Sequence, residues 1–185
     1  MNLRKVGVGV VTAAVFVAGL WSGIGTAGWL GADQNAVGLT AALRPGKAVP
    51  KPTGVRAGAA GTFRAGLTRQ GTRGTLTWRL TFRNLTGRAS AAHIHLAKAG
   101  VAGPVAVPLC GPCRSGVRGT AKLKARTVTA LLRGRAYVNV HTAKNPAGEI
   151  RGQIRKGGKA LQPPTGTTTT TTTTTTMTTE PPPYP

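Results

Sequence analysis

The sequence predicts an all-β fold, an antiparallel sandwich or barrel, and three observations predict it. Apolar and polar side chains alternate with a period of two between residues 61 and 158, glycines punctuate the alternating runs, and no stretch after residue 60 carries a convincing amphipathic helix. From Leu76 to Arg83, the side chains of Leu76, Trp78, Leu80 and Phe82 share one face while Thr77, Arg79, Thr81 and Arg83 share the other. Phe63, Ala65 and Leu67 alternate in the same way with Thr62, Arg64 and Gly66, and residues 121–126 repeat the scheme with small and aliphatic side chains inward. Gly71, Gly74, Gly87, Gly116, Gly119 and Gly134 are read as turn residues between such runs.

The flanks differ from this middle. Arg4 and Lys5 precede an apolar run from Val6 to Leu20, with small residues at Gly25-Thr26-Ala27 and around Ala32, so residues 1–32 are expected to be an export signal. No charge occurs from Val6 through Ala32, which keeps an uncleaved N-terminal anchor as the alternative and the only route to a membrane. Residues 33–60 are rich in Gly, Ala, Pro and Lys without a sustained period and read as a flexible linker. Residues 159–185, with an unbroken threonine run from Thr167 to Thr176 and prolines at 181–183, read as a disordered stalk open to O-glycosylation.

Charge narrows the partners. The chain has 25 Lys+Arg against 3 Asp+Glu, a formal net charge of +22, so few basic side chains can find an acidic partner within it. Most lie on the outward faces of the alternating runs, where they serve either as a solvated surface or as a face for polyanions. Acidic extracellular or envelope polymers are the expected class. Nucleic acid is not expected, because exposed aromatics do not interleave with the charges and no nucleic-acid-binding signature occurs.

Cys110-Gly111-Pro112-Cys113 has the spacing of a thiol-redox motif, but Pro108 before it and Arg114-Ser115-Gly116 after it leave no helix to activate a thiolate. In an exported chain with 2 cysteines the expectation is a small loop disulfide. Thiol-redox function on Cys110 and Cys113 is the alternative.

The 3 histidines are placed by the same alternation. In residues 92–96, His93 and His95 oppose Ala92, Ile94 and Leu96, and in the next polar strand Asn139 and His141 oppose Val138 and Val140. Were these two strands neighbours, His93, His95 and His141 could converge on copper or zinc. The competing expectation is a polar cluster in which Asn139, Glu149 and Arg151 satisfy the rings, with no cofactor. Residues 137–154 read as a closing hairpin: Asn145-Pro146-Ala147-Gly148 turns the chain, Val138, Val140, Ile150 and Ile154 face the core, and Asn139, His141, Glu149 and Arg151 take the other face.

Asn84-Leu85-Thr86-Gly87, Ala92-His93-Ile94-His95, residues 100–105 with Gly103-Pro104, and residues 137–154, in that order, resemble the CHRD domain first described in chordin. The resemblance covers residues 62–154. It implies an immunoglobulin-like or superoxide-dismutase-like β-sandwich or barrel, makes Asn84-Leu85-Thr86 a turn rather than a glycosylation sequon, and carries no established activity. His93-Ile94-His95 is similar to the copper-binding strand of the dismutases, yet dismutase chemistry needs more histidines and an aspartate that this domain lacks. The growth-factor binding of chordin belongs largely to cysteine-rich modules absent here. The expectation is an exported, non-enzymatic module, secreted or at the cell surface.

Overall fold

The computed structural model describes residues 36–163. The expected signal segment, residues 1–32, and the threonine- and proline-rich stretch beyond residue 163 lie outside them. Two sheets make a sandwich, with every pairing antiparallel. The first is built from β1 (Ala36–Leu43), β2 (Ala60–Gln70), β3 (Arg73–Arg83), β6 (Arg118–Leu123) and β9 (Arg155–Lys156), in the order β6-β3-β2-β1-β9. The second holds β4 (Ala89–His95), β5 (Val105–Cys110), β7 (Tyr137–Thr142) and β8 (Ile150–Gln153), in the order β5-β4-β7-β8. The two sheets do not close on each other, which selects the sandwich over the barrel.

The core is the set of side chains that period two turns inward. Phe63, Leu67, Leu76 and Leu80 from one sheet and Ile94, Val138, Val140 and Ile150 from the other are fully buried in one cluster. Each such side chain contributes about 1.5–3 kcal/mol through lost apolar exposure, so the inter-sheet layer, not the polar face, holds the sandwich together. Gly119 lies opposite Trp78, and a Cβ there would come within 2.6 Å of the indole. The glycine is therefore the space the buried ring occupies.

Three expectations are corrected. Residues 33–60 are not simply a linker: β1 lies within them, its Leu39, Ala41 and Leu43 are core residues, and a 3-10 turn follows at Pro45–Lys47. Its inward side chains alternate mostly with small residues, which blurred the period. A helix, α1 (Ala125–Leu132), takes the end of the run read as a strand through residue 126. It buries Thr127, Val128 and Leu131, and its threonines and valine have a strand-like composition that hid it. Gly74 and Gly119 stand inside strands rather than turns. Gly74 lies under the helix, where an added Cβ would stand 3.4 Å from Val128.

The turn of the β7–β8 hairpin and its core-facing Val138, Val140 and Ile150 are as expected, whereas Glu149 is buried against Thr86 and Thr142 instead of sharing the face of His141. Gly148 N–H donates to Asn145 C=O at 3.0 Å to close the turn, and Val140 pairs with Ile150. Gly148 has a φ of +123°, and the Asn139 side chain fills the place where a Cβ would stand, so only glycine fits. Asn84, with a φ of 54°, turns the chain between β3 and β4.

Candidate metal centre

β4 and β7 are neighbours, and their register decides the site. His93 pairs with Asn139, His95 with Tyr137 and Ala91 with His141, so the alternation places all three imidazoles on the face away from the core. They converge. Their candidate ligand nitrogens lie within 4.8 Å of one another, and His93 Nδ1 stands 3.1 Å from His141 Nε2.

The surrounding backbone sets the tautomers. A carbonyl can only accept, so His95 Nδ1–H donates to Gly103 C=O at 2.9 Å and His141 Nδ1–H to Pro146 C=O at 2.9 Å. Both rings then carry a lone pair on Nε2. His93 Nδ1–H donates to that of His141, while His95 Nε2 is buried with no partner among the described residues. Burial first, and then repulsion from His141 and His95, holds the His93 pKa below its ordinary value. Burial likewise lowers that of His95, opposed by its bond to Gly103 and reinforced by His141 and Arg151. Neutral rings with free nitrogens are the form that binds transition metals.

Tyr137 and the loop between β4 and β5 complete the setting. The Tyr137 ring stacks on His95 at 4.9 Å with the planes 7° apart, its hydroxyl accepts from Gly103 N–H at 3.1 Å, and the Arg151 guanidinium lies 3.4 Å from its other side. Tyr137 was within reach of sequence reasoning, since it alternates in phase with Asn139 and His141. The carbonyls of Gly103 and Pro146 were not, because every residue carries one.

The alternative cluster does not form as expected. Asn139 donates to Ala147 C=O and Arg151 to the carbonyls of Lys98 and Val101, while Asn145 exchanges hydrogen bonds with the backbone of Thr53. Glu149 is fully buried and accepts from Thr86 N–H at 2.8 Å, Thr86 Oγ1 at 2.6 Å and Thr142 Oγ1 at 2.7 Å. These bonds exclude Glu149 from the imidazoles. Burial raises its pKa, but the hydrogen bonds from Thr86, Thr142 and Asn145 outweigh it and hold the group below its ordinary value. Cys110 and Cys113 are joined as a disulfide with Cα atoms 5.3 Å apart at the end of β5, and the next element is the strand β6.

Among the described residues no carboxylate or thiolate joins the three nitrogens, and such a donor set suits copper or zinc, not calcium or magnesium. Tetrahedral ligands at about 2.0–2.1 Å from zinc stand about 3.3 Å apart. The 3.1 Å between His93 Nδ1 and His141 Nε2 is close to that once the proton shared between them is lost, and all three candidate nitrogens lie within 4.8 Å of one another.

An antiparallel sandwich carrying a histidine face on its second sheet is the class these observations define. The CHRD domain model matches residues 39–154, and the chain belongs to that family. No curated protein and no solved structure matches it. The matched range begins inside β1, in agreement with the corrected start of the domain.

Proposed function

We propose that this chain is an exported, non-catalytic CHRD module that holds one copper or zinc ion on His93, His95 and His141. The observation that carries the reading is His95, 8 % exposed, whose Nδ1 is tied to a carbonyl and whose Nε2 is buried without a partner beside two further imidazoles. A buried nitrogen left unpaired costs about 1–3 kcal/mol, and a metal would satisfy it. The bound ion would supply a Lewis-acidic centre with a fourth position open to an outside ligand. CHRD domains are typically extracellular, and the N-terminal signal pattern and the disulfide fit an oxidising compartment. Among the described residues no helix is long and apolar enough to cross a membrane. Untagged, metal-free protein titrated with zinc or copper is expected to take up one equivalent and melt higher, and His95→Ala to take up none. No uptake and unchanged melting would remove the reading.

One register favours a second role, binding of acidic polymers. Arg64 pairs with Arg79 and Arg79 with Arg118, while Thr40 joins Arg64 to Arg155. The four arginines are exposed and form a row across the first sheet at the strand spacing of about 4.8 Å. Like charges directly opposite each other destabilise a sheet, and a linear polyanion along the row relieves them. Retention on an acidic polysaccharide should fall steeply with salt. It should fall further when Arg64, Arg79 and Arg118 become Gln than when Arg88, Arg114 and Arg133 do; equal losses would reduce the row to bulk charge.

A further inference from the structure

Arg151 poses a separate question. Its side chain is 2 % exposed, and a guanidinium so far from water ordinarily needs a carboxylate. Glu149 is the only carboxylate among the described residues, and its oxygens are taken by Thr86, Thr142 and Asn145. Nη2 of Arg151 donates to Lys98 C=O at 3.2 Å and Val101 C=O at 2.8 Å, which accounts for its hold on the loop between β4 and β5. Nη1 is buried and has no partner among the described residues.

The same side chain lines a cleft of about 430 Å³ between β1, β8 and that loop. Lys47 and Arg155, both exposed, line it too, as do Thr40 and Gln153, and among the described residues no acidic side chain does. Gly100, with a φ of +77°, also lines the cleft, and nothing lies within 4 Å of where its Cβ would stand. A cavity of this size admits a sugar or a comparably small molecule rather than a bare ion alone. Three cationic groups facing one cleft, one of them desolvated and incompletely paired, make strong charge-assisted hydrogen bonds to an oxyanion.

We propose that this cleft binds a single oxyanion group, a phosphate, sulfate or carboxylate, with the Arg151 side chain at its buried end and Lys47 and Arg155 closing from the rim. The site does not depend on a metal at the histidines. Arg155 also ends the arginine row, so an acidic polymer and a small free anion are the two sources of the group.

The test uses the full chain at constant ionic strength, with inorganic phosphate, sulfate, glucuronate and an acidic oligosaccharide as separate probes. Saturable one-to-one binding is expected for at least one probe, with amide shifts at Lys47, Gly100 and Gln153. The Lys47→Gln/Arg155→Gln pair should weaken it about tenfold or more, whereas Arg79→Gln/Arg118→Gln should leave the small probes unchanged. Tighter binding of phosphate or sulfate than of glucuronate assigns a tetrahedral oxyanion, and the reverse assigns a carboxylate. Affinity gained only with the oligosaccharide, and lost with the Lys47/Arg155 pair, assigns the polymer as its source. Absence of saturation with every probe, binding that survives the Lys47/Arg155 pair, or equal losses in both pairs would overturn the proposal. These variants keep Arg151 and its loop contacts, so a folding defect does not obscure the result.

Discussion

Two polar clusters flank the β7–β8 turn, and they are finished differently. Around Glu149 the network closes: each carboxylate oxygen accepts from a hydroxyl or an amide, and Thr86 also meets Thr142 at 3.2 Å. Around the histidines it stays open. His95 Nε2, Asn139 Oδ1, Arg151 Nη1 and Gln153 Oε1, all from β4, β7 and β8, are buried without partners, and Trp78 Nε1 is the one other such atom among the described residues. A closed polar network rigidifies a fold, whereas an open one is costly unless something from outside completes it. The Glu149 cluster therefore reads as a fastener between the β3–β4 turn and the hairpin, and the histidine face as a place for a ligand.

That contrast can be broken by mutation. The largest effect is expected for Glu149→Ala, which strands the Thr86 and Thr142 donors and should cost about 3 kcal/mol or more in urea unfolding of metal-free protein; a loss below about 1 kcal/mol would show that the knot is dispensable. Acid should act on the same group. Its folded pKa lies below the ordinary 4.5, so its contribution is fully present above that value and is lost as pH falls through the folded value. Glu149→Gln should flatten this part of the acid-unfolding curve. His95→Ala is expected to cost the metal-free protein about 2 kcal/mol, the worth of one stack and one hydrogen bond, while removing metal uptake. The smallest effect is expected for Tyr137→Phe, which keeps the stack and loses the bond to Gly103 N–H. It should lower metal affinity by no more than about tenfold, as supporting contacts do, with melting of the metal-free protein little changed.

Much of the sandwich was legible because its faces are written in period two. Leu76, Trp78 and Leu80 face the core as their alternation requires, and so do Ile94, Val138, Val140 and Ile150. β1 was obscured by its small residues and α1 by its β-branched ones. The histidine site was half legible. Alternation put His93 with His95, and Asn139 with His141, on outward faces, but β4 pairs with β7 across the intervening β5, β6 and α1. That pairing is a matter of register, which a single sequence does not encode locally. The same holds for Glu149. Its place beside Asn139 and His141 in the hairpin suggested a partner for the rings, yet its partners come from the turn at Thr86 and from Thr142 and Asn145.

Metal content tests the central claim most directly. Untagged protein recovered from its native source, without chelators or added metal, should carry about one equivalent of copper or zinc per chain by elemental analysis, and a His95→Ala chain recovered in the same way should carry none while remaining folded. Native protein that holds neither metal, and that takes up neither on titration, would contradict the account and leave the three histidines as surface chemistry of the sandwich alone.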